Sequence, residues 1–217
     1  MQRAVAHAYI HRDTPIPTLR ASLGFMTSTA CTAELESATL APPGHRMHVL
    51  GVSPLEGVAY VCEELDPGEA PIAYRLFLRG ARAGYLVPIH AWYEHCDSAE
   101  EIRARVAAVG ATLEPVVRIT TEAWMLSTRI VQRRALRVAG QGVPIRKFAL
   151  QLAVDPVSGH GPFGRTTVAA FLRPNATLVD VWAVPGEPTL AIARVSYTGI
   201  PSGVGLTKDT VVLLSES

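Results

Sequence analysis

The chain has 217 residues, 48% hydrophobic and 18% charged, so it can bury a core and lacks the apolar-poor, charge-rich composition of disorder. Its formal charge of +1 excludes a global electrostatic signature, so any charge signal has to be local. Apolar runs such as Val168–Leu172 and Val211–Leu214 are far shorter than the roughly 20 residues of a membrane helix. Met1–His7 has no apolar stretch of signal-peptide length, and the expectation is a cytoplasmic protein that does not span a membrane.

At the start of the chain, Val5, His7, Tyr9 and His11 alternate with Ala4, Ala6, Ala8 and Ile10, the period-two pattern of a half-buried strand. Beyond Pro15 and Pro17, Leu19, Leu23 and Met26 recur at helical spacing and predict a short helix. Turn residues at Ser53–Gly57 and Asp66–Gly68 then divide strand cores at Ala59–Cys62, Tyr74–Leu78 and Tyr85–Val87. Ser98 and Glu101 form a capping-box pattern ahead of Ile102, Val106 and Val109, which predicts a helix that Gly110 ends in the left-handed conformation. A second helix is expected from about Thr121 to Leu136. Strand cores follow at Phe148–Val154, Thr166–Leu172, Ala176–Val184, Leu190–Val195 and Thr210–Leu214. The order predicts a strand-rich α+β protein with two βαββ-like lobes, residues 1–95 and 96–217, each an antiparallel sheet with helices on one face.

Cys31, Cys62 and Cys96 show no CxxC pair and read as buried free thiols. His90, His95 and Cys96 match no established ligand spacing, so neither a metal nor a cofactor is expected. The chain contains no GxSxG, GxxxxGK[ST] or HExxH motif, and although Gly159-His160-Gly161-Pro162-Phe163-Gly164 has the GxGxxG spacing after a strand core, Pro162 removes an amide that a phosphate cradle would use.

The most informative local feature is a charge void. No acidic residue occurs between Glu122 and Asp155, while Arg129, Arg133, Arg134, Arg137, Arg146 and Lys147 supply six positive charges. On a helix, Arg129, Arg133 and Arg137 would project from one face within reach of successive phosphates. The plain alternative is that arginine is simply the preferred base here, since the chain has eighteen Arg and two Lys. His7, Tyr9 and His11 share one strand face, and His45 and His48 precede the next strand. Together they are candidates for the general base and acid of metal-independent RNA cleavage, against the alternative of His and Tyr on an ordinary sheet face.

Near the C-terminus, Gly199-Ile200-Pro201-Ser202-Gly203-Val204-Gly205-Leu206-Thr207-Lys208 precedes Leu213-Leu214-Ser215. Closely spaced glycines let backbone approach phosphate, and Lys208 adds a point charge. This run resembles the glycine-rich ending of the repeat-associated mysterious proteins of CRISPR systems, which include guide-RNA-processing endoribonucleases and guide-capping subunits. The capped helix at Ser98 after Tyr85–Ile89 also occupies a similar place. The chain departs from the pattern at Asp209-Thr210-Val211, where a second glycine pair is expected. The resemblance implies two ferredoxin-like lobes, binding of a repeat-derived or guide RNA by Gly203, Gly205 and Lys208, and other protein subunits of a ribonucleoprotein complex as partners. The competing expectation is a structural or assembly protein, such as a virion or tail component, without catalysis.

Overall fold

The structure is a computed structural model that describes residues 44–65, 68–93, 98–137, 144–201 and 205–216. The strand expected at residues 4–11 and the helix expected at 19–26 lie outside these residues. The described strands are β1 (Gly44–Ser53), β2 (Val58–Glu64), β3 (Ile72–Phe77), β4 (Leu86–Pro88), β5 (Val117–Ile119), β6 (Trp124–Leu136), β7 (Ile145–Pro156), β8 (Gly164–Phe171), β9 (Ala176–Val184), β10 (Glu187–Ile200) and β11 (Leu206–Ser215). A single α-helix among the described residues, α1 (Ala99–Gly110), separates β4 from β5.

These elements overturn the expectation of two ferredoxin-like lobes. One eight-stranded sheet has the order β4-β3-β2-β1-β11-β10-β9-β5, and a three-stranded sheet has the order β6-β7-β8. The larger sheet draws strands from both sides of residue 95 and is mixed, because β1 and β11 pair in parallel at Gly44↔Thr207 and His45↔Lys208. The expected helix at Thr121–Leu136 is strand β6. Its arginine spacing is helical, but Trp124, Leu126 and Ile130 alternate inward to pack on the core, and β7 supplies a partner that alternates in step. The capping box at Ser98 is present as expected, with Ile102 and Val106 buried. Gly110 is not left-handed; the helix runs through it to Ala111, which keeps right-handed helical dihedrals.

Three apolar clusters separate the elements. Phe148, Leu150, Leu152 and Val154 of β7 meet Ala191, Ala193 and Val195 of β10 and Val212 and Leu214 of β11. On the opposite face of β10 and β11, Ile192, Val211 and Leu213 meet Met47, Val61 and Leu76 of β1–β3. The other face of β2, with Val58, Tyr60 and Cys62, carries Ile102 and Val106 of α1. Period-two alternation on β2, β10 and β11 therefore serves two cores per strand. Cys62 is a buried free thiol, as expected, and burial followed by the nearby Glu64 and Glu63 charges pushes it up to about 11. Cys31 and Cys96 lie outside the described residues.

One edge of β1 is paired with β2 from Arg46 to Ser53, while the other has three successive partners. Gly44 and His45 pair with β11. At Met47, the N–H donates to Asp209 Oδ2 at 3.1 Å and the carbonyl accepts from Arg194 Nη1 at 3.0 Å. At Val52, Glu114 beyond α1 exchanges both backbone hydrogen bonds, at 2.8 and 2.9 Å. Each buried polar group on that edge named here thus has a partner, though only two residue pairs of it belong to a ladder.

Candidate nucleic-acid interface

The outer face of β6-β7-β8 gathers three of the seven expected basic residues, Arg129, Arg134 and Lys147. Even-numbered β7 residues from Phe148 to Val154 are buried, so odd-numbered ones face outward. Arg129 pairs with Gln151, Gln132 with Ala149 and Arg134 with Lys147, and these side chains share that outer face. Their sharing it depends on a β-bulge. The register shifts between Ile130 and Gln132, so outward positions on β6 change from odd (Arg129) to even (Gln132, Arg134). The same bulge sends Arg133 to the opposite face, opposite Phe148, and Arg133, Arg134, Ala135, Arg146 and Phe148 line an open depression at that end of the sheet. Across β7, Arg165, Thr167, Ala169 and Phe171 of β8 complete the outer face through their pairing with Ala153, Gln151, Ala149 and Lys147.

Arg129, Arg134 and Arg165 are exposed and Lys147 is half-buried. Lys147 Nζ lies 5.6 Å from the centroid of the Phe171 ring. Among the described residues none of Arg129, Arg133, Arg134, Arg137, Arg146, Lys147 and Arg165 has a carboxylate partner, whereas Arg75, Arg79, Arg118, Arg194 and Lys208 all do. The one acidic residue on the three strands, Asp155, is paired with Met125 at the end remote from Arg134 and Lys147. Gln132, Gln151 and Phe171 were not among the expected binding residues, and Arg165, read from the sequence only as an anion contact on a glycine-rich loop, stands on β8 instead. The signal for Arg165 is in the sequence: the acid-poor stretch continues past Asp155 to Asp180.

The other expected site residues are elsewhere. Lys208 and His45 come together, but on a buried carboxylate that the sequence reading passed over. Glu63 is 1% exposed, and its Oε1 lies 2.9 Å from Lys208 Nζ and 3.1 Å from His45 Nδ1. The Tyr74 hydroxyl donates to its Oε2 at 2.5 Å. Burial pushes the Glu63 carboxyl up, but Tyr74, Lys208 and His45 together outweigh it and hold the group below its ordinary value. The hydroxyl of Tyr74 is raised by its own burial and by that carboxylate. His48, three residues along the strand from His45, faces away from it and pairs at the surface with Glu64 at 3.2 Å. Gly205 has φ +92°, and a Cβ there would lie 2.4 Å from Thr198 Cγ2, so its backbone approaches β10 itself. His7, Tyr9, His11 and Gly203 lie outside the described residues.

Among the described residues no cluster of His, Cys, Asp and Glu could hold a metal ion, and no helix is long and apolar enough to cross a membrane. No family model matches the chain, and no curated protein or solved structure is significantly similar to it.

Proposed function

We propose that this protein binds RNA through the outer face of β6-β7-β8, chiefly by contacts to phosphates. The observation that carries this reading is the placement of Arg129, Arg134, Lys147 and Arg165 on one sheet face without carboxylate partners among the described residues. Unpaired guanidiniums on an exposed face are the groups that bind phosphate, bidentately and with release of counterions. The reading rests on that face and not on the family resemblance, whose implied lobes the fold lacks. It is a reading of binding, because His45 and His48 stand on opposite faces of β1 and do not form one acid–base pair.

The test is extraction of nucleic acid from the purified protein, followed by salt-dependent binding of single-stranded RNA. Each of Arg129→Ala, Arg134→Ala and Arg165→Ala is expected to weaken binding and to reduce the log–log salt slope by about 0.7. Unchanged affinity and slope in all three would overturn the proposal. A nucleic-acid-free homo-oligomer would instead favour an assembly role, for which the exposed 13-residue β6, with Met125 and Val131 more than half exposed, offers an edge.

A further inference from the structure

Against the three-stranded sheet lies a cup of about 130 Å³, lined by Gln132, Arg134, Lys147, Phe148, Ala149 and Ala169. Ala149 and Ala169 are cross-strand partners, so two methyl groups form the floor where larger side chains would fill the space. Cationic walls alone would suit a phosphate, but an apolar floor leaves a phosphate oxygen without a donor, whereas the apolar face of a ring packs on the two methyl groups.

The walls are built for a ring with polar edges. With its carbonyl turned to Arg134, Gln132 accepts from Nη2 at 2.9 Å and Nε at 3.1 Å, which turns its NH₂ away from that guanidinium. The opposite wall, Lys147, is steadied over the Phe171 ring. The β-bulge at Val131 brings Gln132 and Arg134 to the cup together.

We infer that this cup is a nucleobase subsite, occupied by one unstacked base of a single-stranded RNA, with Arg134 and Lys147 on the flanking phosphates and the Gln132 amide on the base edge. The inference rests on the RNA-binding reading above. It excludes an intact duplex as ligand, because paired bases stay inside the stack and cannot enter a recess on a flat sheet.

The experiment compares a single-stranded RNA with the same sequence annealed into a duplex, for the wild type and for Ala169→Leu and Gln132→Ala. Ala169 is exposed, so leucine there adds no volume to the core, and thermal unfolding checks that both variants are folded. The expected result is preference for the single strand, about tenfold weaker binding by Ala169→Leu with an unchanged salt slope, and reduced discrimination among the four homopolymers by Gln132→Ala. Equal binding of duplex and single strand, or wild-type affinity in Ala169→Leu, overturns the subsite while leaving phosphate binding intact. Failure of the wild type to bind any RNA overturns the RNA-binding reading itself, and with it the subsite.

Discussion

His45 and Lys208 are cross-strand neighbours in the short parallel ladder between β1 and β11, and both reach the same oxygen, Oε1 of Glu63. A carboxylate from β2 thereby ties together the two strands at which the halves of the large sheet join.

Removing that carboxylate's charge leaves a half-buried ammonium without its partner. Glu63→Gln is expected to lower the free energy of unfolding by about 3 kcal/mol, read by urea denaturation at neutral pH. The folded-state pKa of Glu63 lies below the unfolded value of about 4.3, so its stabilisation is fully present above that pH and is lost as pH falls through the folded value. Melting temperature should drop on acidification below about pH 4.3 more steeply in the wild type than in Glu63→Gln. Parallel curves would remove Glu63 from the acid response.

Asp209 performs for Met47 the accepting role of a neighbouring strand, and it also accepts from the Ser196 hydroxyl. Asp209→Ala should therefore accelerate hydrogen exchange at the Met47 amide and destabilise the protein by about 2 kcal/mol or more. Exchange at Met47 indistinguishable from wild type would show that this amide finds another acceptor.

Two glycines are expected to respond to alanine with opposite signs. Gly110 ends α1 in right-handed geometry with open space around it, so Gly110→Ala should stabilise by about 0.5–1 kcal/mol. At Gly164 a Cβ would lie 2.2 Å from the Leu213 carbonyl oxygen and 2.8 Å from Leu214 Cδ2. Gly164→Ala has to push β8 off β11 and should destabilise by about 2 kcal/mol or more. Denaturant midpoints decide both, and destabilisation by Gly110→Ala would contradict the right-handed end of α1.

The bulge makes Arg133 and Arg134 a further contrast. Arg134→Ala should weaken single-stranded RNA binding and flatten its salt slope, while Arg133→Ala, one residue away on the opposite face, should have the smaller effect on both. Equal effects would place the RNA around the end of the sheet instead of across its outer face.

Local patterns carried most of the individual elements and little of their assembly. Alternation of Phe148, Leu150, Leu152 and Val154 and the Ser98–Glu101 pairing each depend on residues a few positions apart, and both gave the observed element. The error at β6 has the same origin: Arg129, Arg133 and Arg137 repeat at four-residue spacing, and a bulge breaks the alternation that would have contradicted a helix. Cationic character was therefore legible, but not which cations share a face. Glu63 was illegible because Glu63-Glu64 reads as a surface pair until the strand turns one inward and the other to solvent.

The partners that β1 requires beyond β2 have a consequence for synthesis. Met47 and Asp209 are 162 residues apart in sequence, and the parallel ladder beside them spans a similar separation. During translation, β1–β3 emerge before β11, so the face that meets Val211 and Leu213 lacks those partners until β11 has been made. Closing so long a loop comes late and slowly. The nascent chain thus passes through an interval with an open strand edge beside uncovered apolar surface, the period in which chaperone engagement matters most to its yield.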